Sequence, residues 1–177
     1  MASPINCVSI LVIPLLVTSL FYQVSAVADE AFLTSVCQKT KDFNFCLSTL
    51  KADPRTVSGE GIAKISIAIV IDTIQVSVDQ IPGLLSGLSD RVDRTRMENC
   101  QRDFNDGLQT LRNAISAAAS KNYAQSKSLI IDTTNKLQAC DNSYKSPPVR
   151  QSPLADPTTK LLKKCDIAVA AIDTVSV

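Results

Sequence analysis

The 177-residue chain has no histidine and no tryptophan, and only five glycines, five phenylalanines and three tyrosines. Without an imidazole, Ser-His-Asp and Cys-His nucleophilic catalysis have no general base. Most catalytic zinc sites lose a ligand on the same count. The glycines form no phosphate-cradling loop. A charge excess of either sign is also missing: 18 Lys and Arg against 17 Asp and Glu leave +1, with no basic run, so the footprint of a nucleic-acid binder is absent. No Asn-x-Ser/Thr acceptor occurs, and no N-glycosylation is expected. The carboxylates form no spaced pair on a shared apolar face. The sequence therefore points away from catalysis and implies neither metal nor cofactor.

Charge is wholly lacking from residues 1–28, and Val8 to Tyr22 is almost entirely apolar. Small residues at Ala26 and Ala28 follow. An apolar stretch of about 15 residues ending in small side chains reads as a cleaved secretory signal. It is short for a membrane span, which needs about 20. The remaining residues, 29–177, make one ordinary domain, expected to be secreted and free of the membrane once the signal is removed.

Within that domain apolar residues recur at helical spacing. Met97, Cys100, Phe104, Leu108, Leu111, Ile115 and Ala118 form one stripe, and Ile130, Thr133, Leu137 and Cys140 a second. Leu161, Cys165, Ala168, Ile172 and Val175 form a third, opened by Asp156-Pro157, a cap residue followed by a proline suited to a first helical turn. Between Ser58 and Ile81 the β-branched residues also alternate, but the length of the run favours a helix, capped by Ser58 and ending before Pro82. Ile67, Ile71, Ile74, Val78 and Ile81 would face one neighbour; Ile62, Ile65, Ile69 and Val76 would be covered on the other side. The spacing thus predicts helices over about 59–81, 95–120, 123–140 and 157–175. Short links between them argue an all-α, up-and-down four-helix bundle over 58–177.

Cys7 falls within the signal, and five cysteines remain, which in a secreted chain should be oxidised where geometry allows. Cys100 and Cys140 are 40 positions apart with Ser120 midway, so two antiparallel helices bring both back to one end after about 30 Å. A bridge there is natural. Cys37 and Cys46 then pair, closing the eight-residue loop "QKTKDFNF" at the bend of a helical hairpin over 29–55. Cys165 is left as a buried free thiol.

A C-x8-C hairpin, an "LKADP" segment, and a four-helix bundle with a second cysteine pair resemble the plant pectin methylesterase inhibitor and invertase inhibitor family. The pieces that carry the resemblance are "VCQKTKDFNFCLSTLKADPR" at 36–55, "CQRDFNDGLQTL" at 100–111, "NYAQSK" at 122–127 and "KKCDIAVAAI" at 163–172. The resemblance implies a non-enzymatic inhibitor of a cell-wall carbohydrate enzyme, acting in the apoplast or the vacuole. Esterase inhibitors of the family lay the bundle across the enzyme's substrate cleft. Invertase inhibitors insert a Pro-Lys-Phe tripeptide just before the third bundle helix, and this chain has Asn122-Tyr123-Ala124 there. That departure favours pectin methylesterase as partner and acid invertase as the alternative. The resemblance also implies a hairpin extending from the bundle onto a neighbour or into a homodimer. A carrier of apolar ligands is the remote alternative; plant lipid carriers are denser in cysteine and hold an adjacent Cys-Cys pair.

Candidate partner contacts are polar residues on rigid helices. Asp72, Gln75 and Asp79 share one side of the first bundle helix. Arg102, Asp106, Gln109 and Asn113 lie opposite the apolar stripe of the second. Both sets also read as ordinary solvated faces. Phe43 and Phe45 read as hairpin packing, and Tyr123 as the cover of the turn between the second and third bundle helices.

Overall fold

The computed structural model describes residues 30–56 and 61–176. The 1–28 segment expected as a signal, and the Ser58 cap, lie outside the described residues. Helix α1 covers residues 30–37, and α2 (Phe43–Ala52), α3 (Ile62–Ser86), α4 (Arg91–Ala119), α5 (Tyr123–Lys145) and α6 (Ala155–Val175) follow. Among the described residues there is no strand. The last four helices form a ring in which α3 packs on α4 and α6, and α5 packs on the same two.

The core follows the stripes read from the sequence. Met97, Cys100, Phe104, Leu108, Leu111, Ile130, Leu137, Leu161, Cys165 and Ile172 are buried, and they meet Ile67, Ile74 and Ile81 of α3. Gly107 marks the closest approach: a Cβ there would lie 3.1 Å from Thr133 Cγ2 and 3.3 Å from Ile74 Cδ1. At the α4–α5 turn, Lys121 adopts the left-handed φ of 59°, and the Asn122 side chain caps α5 by accepting from Gln125 N at 3.3 Å. Cys100 and Cys140 are bridged at the other end of this helical pair, with Cα atoms 4.9 Å apart. The pair is thus closed at both ends.

Helix boundaries depart from the sequence reading in all four bundle helices, α5 by running on to Lys145 instead of 140. Helix α3 continues through Pro82 to Ser86 instead of ending before it. Proline inside a helix costs about 3 kcal/mol or more. Here the apolar series goes on beyond it: Ile81 is buried, and Leu84, Leu85 and Leu88 pack against the same core. Burial of that order per side chain, about 1.5–3 kcal/mol when complete, offsets the lost backbone bond. Helix α6 begins at Ala155 rather than 157, with Leu154 at the cap position and no side-chain cap bond. Leu154 is buried, so packing places the start, and Asp156 lies inside the first turn, where its carboxylate suits the helix dipole. Helix α4 starts at Arg91, four residues before the predicted start, because Asp90 accepts from Val92 N at 2.9 Å and Asp93 N at 3.0 Å.

Helices α1 and α2 form the hairpin, bridged by Cys37 and Cys46 with Cα atoms 5.5 Å apart. It does not extend away from the bundle as the resemblance implied. Leu33, Val36, Cys37, Cys46 and Leu50 form a second apolar cluster with Ile62 and Ile69 of α3 and Ile167, Ala170 and Ala171 of α6. Helices of eight and ten residues cannot bury a core alone; laid on α3 and α6, they do. This is the cover expected for the outer side of α3, except at Val76, which stays 57% exposed beyond the hairpin's reach.

Candidate functional site

The two polar stripes fall on neighbouring helices, α3 and α4. Asp72 and Asp79 are exposed and Gln75 is half-buried. Gln75 donates from Nε2 to Asp79 Oδ1 at 2.8 Å, a pairing that four-residue helical spacing permits. Arg112 of α4 reaches across to Gln75 Oε1 at 3.4 Å and joins the two stripes. Asp72 is engaged elsewhere: Arg55 Nη2 lies 2.7 Å from Asp72 Oδ2 and 2.6 Å from Asp53 Oδ2. The Arg55 guanidinium holds the Asp53 carboxyl below its ordinary range, and the two carboxylates raise the guanidinium in turn. This triad ties the segment after α2 to α3.

On α4, Arg102, Asp106, Gln109 and Asn113 are all exposed. Arg102 donates to Asn99 Oδ1 at 2.7 Å. Among the described residues, Asp106, Gln109 and Asn113 have no side-chain hydrogen-bond partner. Asp103 sits beside them, half-buried, and burial pushes its carboxyl up, with Asp106 adding repulsion. The face is therefore a rigid helical surface with unspent hydrogen-bonding capacity beside the raised Asp103 carboxyl. It contains no nucleophile–base pair and, among the described residues, no group of three or more potential metal ligands.

Phe43 is 38% exposed at the start of α2. Phe45 is half-buried in the hairpin cluster, with the Lys163 ammonium 5.1 Å above its ring centre. Tyr123 packs against the bundle core at the α4–α5 turn. Cys165 is a buried free thiol on α6. The sequence reading missed Arg55 and Arg112, which organise the α3 stripe. The adjoining "DPR" would have given Arg55 a carboxylate neighbour; nothing in the pattern marked Arg112.

The plant invertase/pectin methylesterase inhibitor family model matches residues 31–170. The chain belongs to this family. A pectinesterase inhibitor from Actinidia deliciosa is 26% identical over 168 residues, covering 92% of this chain and 89% of its own length. A cell wall / vacuolar inhibitor of fructosidase from Arabidopsis thaliana is 24% identical over 144 residues, covering 77% and 80%. The fold is that of a crystal structure of a mutant form of a pectin methylesterase inhibitor from Arabidopsis, with a TM-score of 0.71 at 16% identity over 80% of this chain and 95% of the other. A second pectin methylesterase inhibitor structure from Arabidopsis thaliana superposes at 0.60 and 17%, covering 80% and 93%. The family and these relatives are inhibitors, not enzymes. Among the described residues no helix is long and apolar enough to cross a membrane.

Proposed function

We propose that this chain is a secreted inhibitor of pectin methylesterase that covers the enzyme's substrate cleft in a 1:1 complex, after loss of residues 1–28. The observation that carries the reading is the α4–α5 turn. An invertase inhibitor of the family would insert its tripeptide there. In this chain Asn122 is committed to capping α5, and Tyr123 turns inward onto the core. The turn is built to close a helical pair rather than to enter a sugar pocket. The wider coverage of the match to the pectinesterase inhibitor, 92% of the chain against 77%, supports the same branch. Asp79, Asp106, Gln109 and Asn113 are the proposed contact residues, with Asp72, Gln75 and Arg102 held in place beside them. A stable complex of this kind buries about 1,600 Å² in total, an area that two long helices can supply.

The test is to titrate folded, oxidised protein into plant pectin methylesterase and, separately, into acid invertase at mildly acid pH. Methanol release should fall while sucrose hydrolysis is untouched. Inhibition of invertase alone overturns the esterase reading. Reversing Asp79 and Asp106 to Lys should weaken inhibition by at least about tenfold, one lost charge-assisted contact, with the melting temperature unchanged.

A further inference from the structure

We infer that the groove between α2, α3 and α6 binds an acidic saccharide, a run of uronic-acid residues whose carboxylates seat on Lys160 and Lys164. This does not depend on which enzyme the chain inhibits.

The two lysines stand one turn apart on α6, about 6 Å along the axis. Like charges at this spacing destabilise a helix by a few tenths of a kcal/mol. Elsewhere Lys127 pairs with Asp173, Lys136 with Asp132, and Arg55 with Asp53 and Asp72. Lys160 and Lys164 have no carboxylate within ion-pair distance among the described residues. Lys164 is half-buried and donates only to Thr73 Oγ1, at 2.7 Å. An ammonium has three donors, so two are left. Burial and the adjacent Lys160 both lower its affinity for the proton. Asp72 opposes them in part, and an anion in the groove would offset the rest by its charge.

The shape fits a chain rather than a single ion. A hollow of about 520 Å³ has Phe45 and Ile69 as its apolar lining, Thr49 and Thr73 as hydroxyls, and both lysines on one wall. A second hollow of about 430 Å³ shares Asp72, Thr73 and Lys160 with it and runs on past Ser77 and Gln80. The nearby carboxylates, Asp53 and Asp72, share the single positive charge of Arg55, so one negative charge remains against the two lysines and the groove keeps a net charge of +1.

Apolar lining, hydroxyls and spaced cations are what an acidic sugar needs. An acidic peptide fits less well. The walls are helices whose backbone groups are already bonded internally, so an extended peptide would leave its N–H and C=O groups without partners.

The experiment is calorimetric titration of the folded, oxidised protein with a de-esterified oligogalacturonate. Its fully methyl-esterified counterpart and an oligoglutamate of equal charge are titrated in parallel. Lys160→Gln, Lys164→Gln and, as a remote control, Lys136→Gln are compared, with a thermal melt for each. The oligogalacturonate should bind, the esterified form should bind about tenfold more weakly or less, and each groove variant should lose about tenfold, the size of one charge-assisted contact. Lys136→Gln should bind as the parent does. No binding at millimolar ligand, equal loss in the control, or equal binding of oligoglutamate overturns the assignment.

Discussion

Lys163 Nζ lies 2.9 Å from Asp42 Oδ2, while Oδ1 of the same carboxylate accepts the Phe45 N–H at 3.0 Å. One side chain therefore caps α2 and fastens the hairpin to α6. The Lys163 hydrogen bond first, and the Phe45 N–H second, hold the Asp42 carboxyl below its ordinary value. A depressed carboxyl stabilises the fold fully above its unfolded pKa, and the contribution is lost as pH falls through the folded value. The hairpin should thus loosen in acid before the bundle does. Hydrogen exchange of 30–52 against 91–140 checks this. Asp42→Asn keeps the cap acceptor but loses the ion pair, and should loosen the hairpin less than Asp42→Ala. Equal acid sensitivity of hairpin and bundle amides would refute a separately fastened hairpin.

The two disulfides should differ in weight. Cys100–Cys140 closes a separation of 40 residues and Cys37–Cys46 one of 9. Chain entropy assigns about 4 kcal/mol to the first and about 2–3 kcal/mol to the second. Cys100→Ala/Cys140→Ala should lower the denaturant midpoint of the whole bundle. Cys37→Ala/Cys46→Ala should act mainly on hairpin protection. A larger global loss from the hairpin pair would contradict this order.

Arg96 fixes the long connection between α5 and α6. It is only 8% exposed, donates from Nη1 to Pro148 O and from Nη2 to Ser146 O, each at 2.9 Å, and lies 5.6 Å over the Tyr144 ring. A lysine cannot reproduce a planar fork to two carbonyls. Arg96→Lys should cost about 1.5–3 kcal/mol, the range for a hydrogen bond to a charged group. Limited proteolysis should then cut within 146–154, where the parent resists. Unchanged melting and unchanged cleavage would deny the clasp its role.

The bundle was legible in the sequence because its evidence is local and periodic. The series from Met97 to Ala118 and from Ile130 to Cys140 are one-face patterns that any helix of that sequence must bury. The boundaries at Pro82 and Leu154 were not legible. A proline is locally a stop signal, and only the core that Leu84 and Leu85 reach shows why the helix passes it. The position of the hairpin was also hidden. Its placement depends on Ile62, Ile69 and Ile167, residues from two distant segments whose second apolar side has no partner until the chain is folded. The candidate face divides in the same way. Exposure of Asp106, Gln109 and Asn113 follows from helical phase. The diversion of Asp72 to Arg55 follows from a tertiary turn that no periodicity encodes.

Cys165 gives the sharpest chemical test of the core. Burial is the main cause that pushes its thiol up to about 12, against an ordinary value of 9.0; Asp166 adds to it and a Thr134 hydrogen bond opposes it. A neutral thiol on the apolar stripe of α6 is a poor nucleophile. In native protein freed of residues 1–28, and so of Cys7, it should resist alkylation, and after denaturation without reductant a single thiol should react. The linkage has a definite sign. The unfolded thiol ionises near 9.0 and the folded one near 12, so the fold loses stability through this group as pH rises across that window. Cys165→Ala should cost about 1–2 kcal/mol at neutral pH through lost packing. The gap between parent and variant should then narrow as the solution is made alkaline. Native alkylation as fast as that of the denatured chain, or a gap that stays constant into alkali, would show that this side chain is not held in the core.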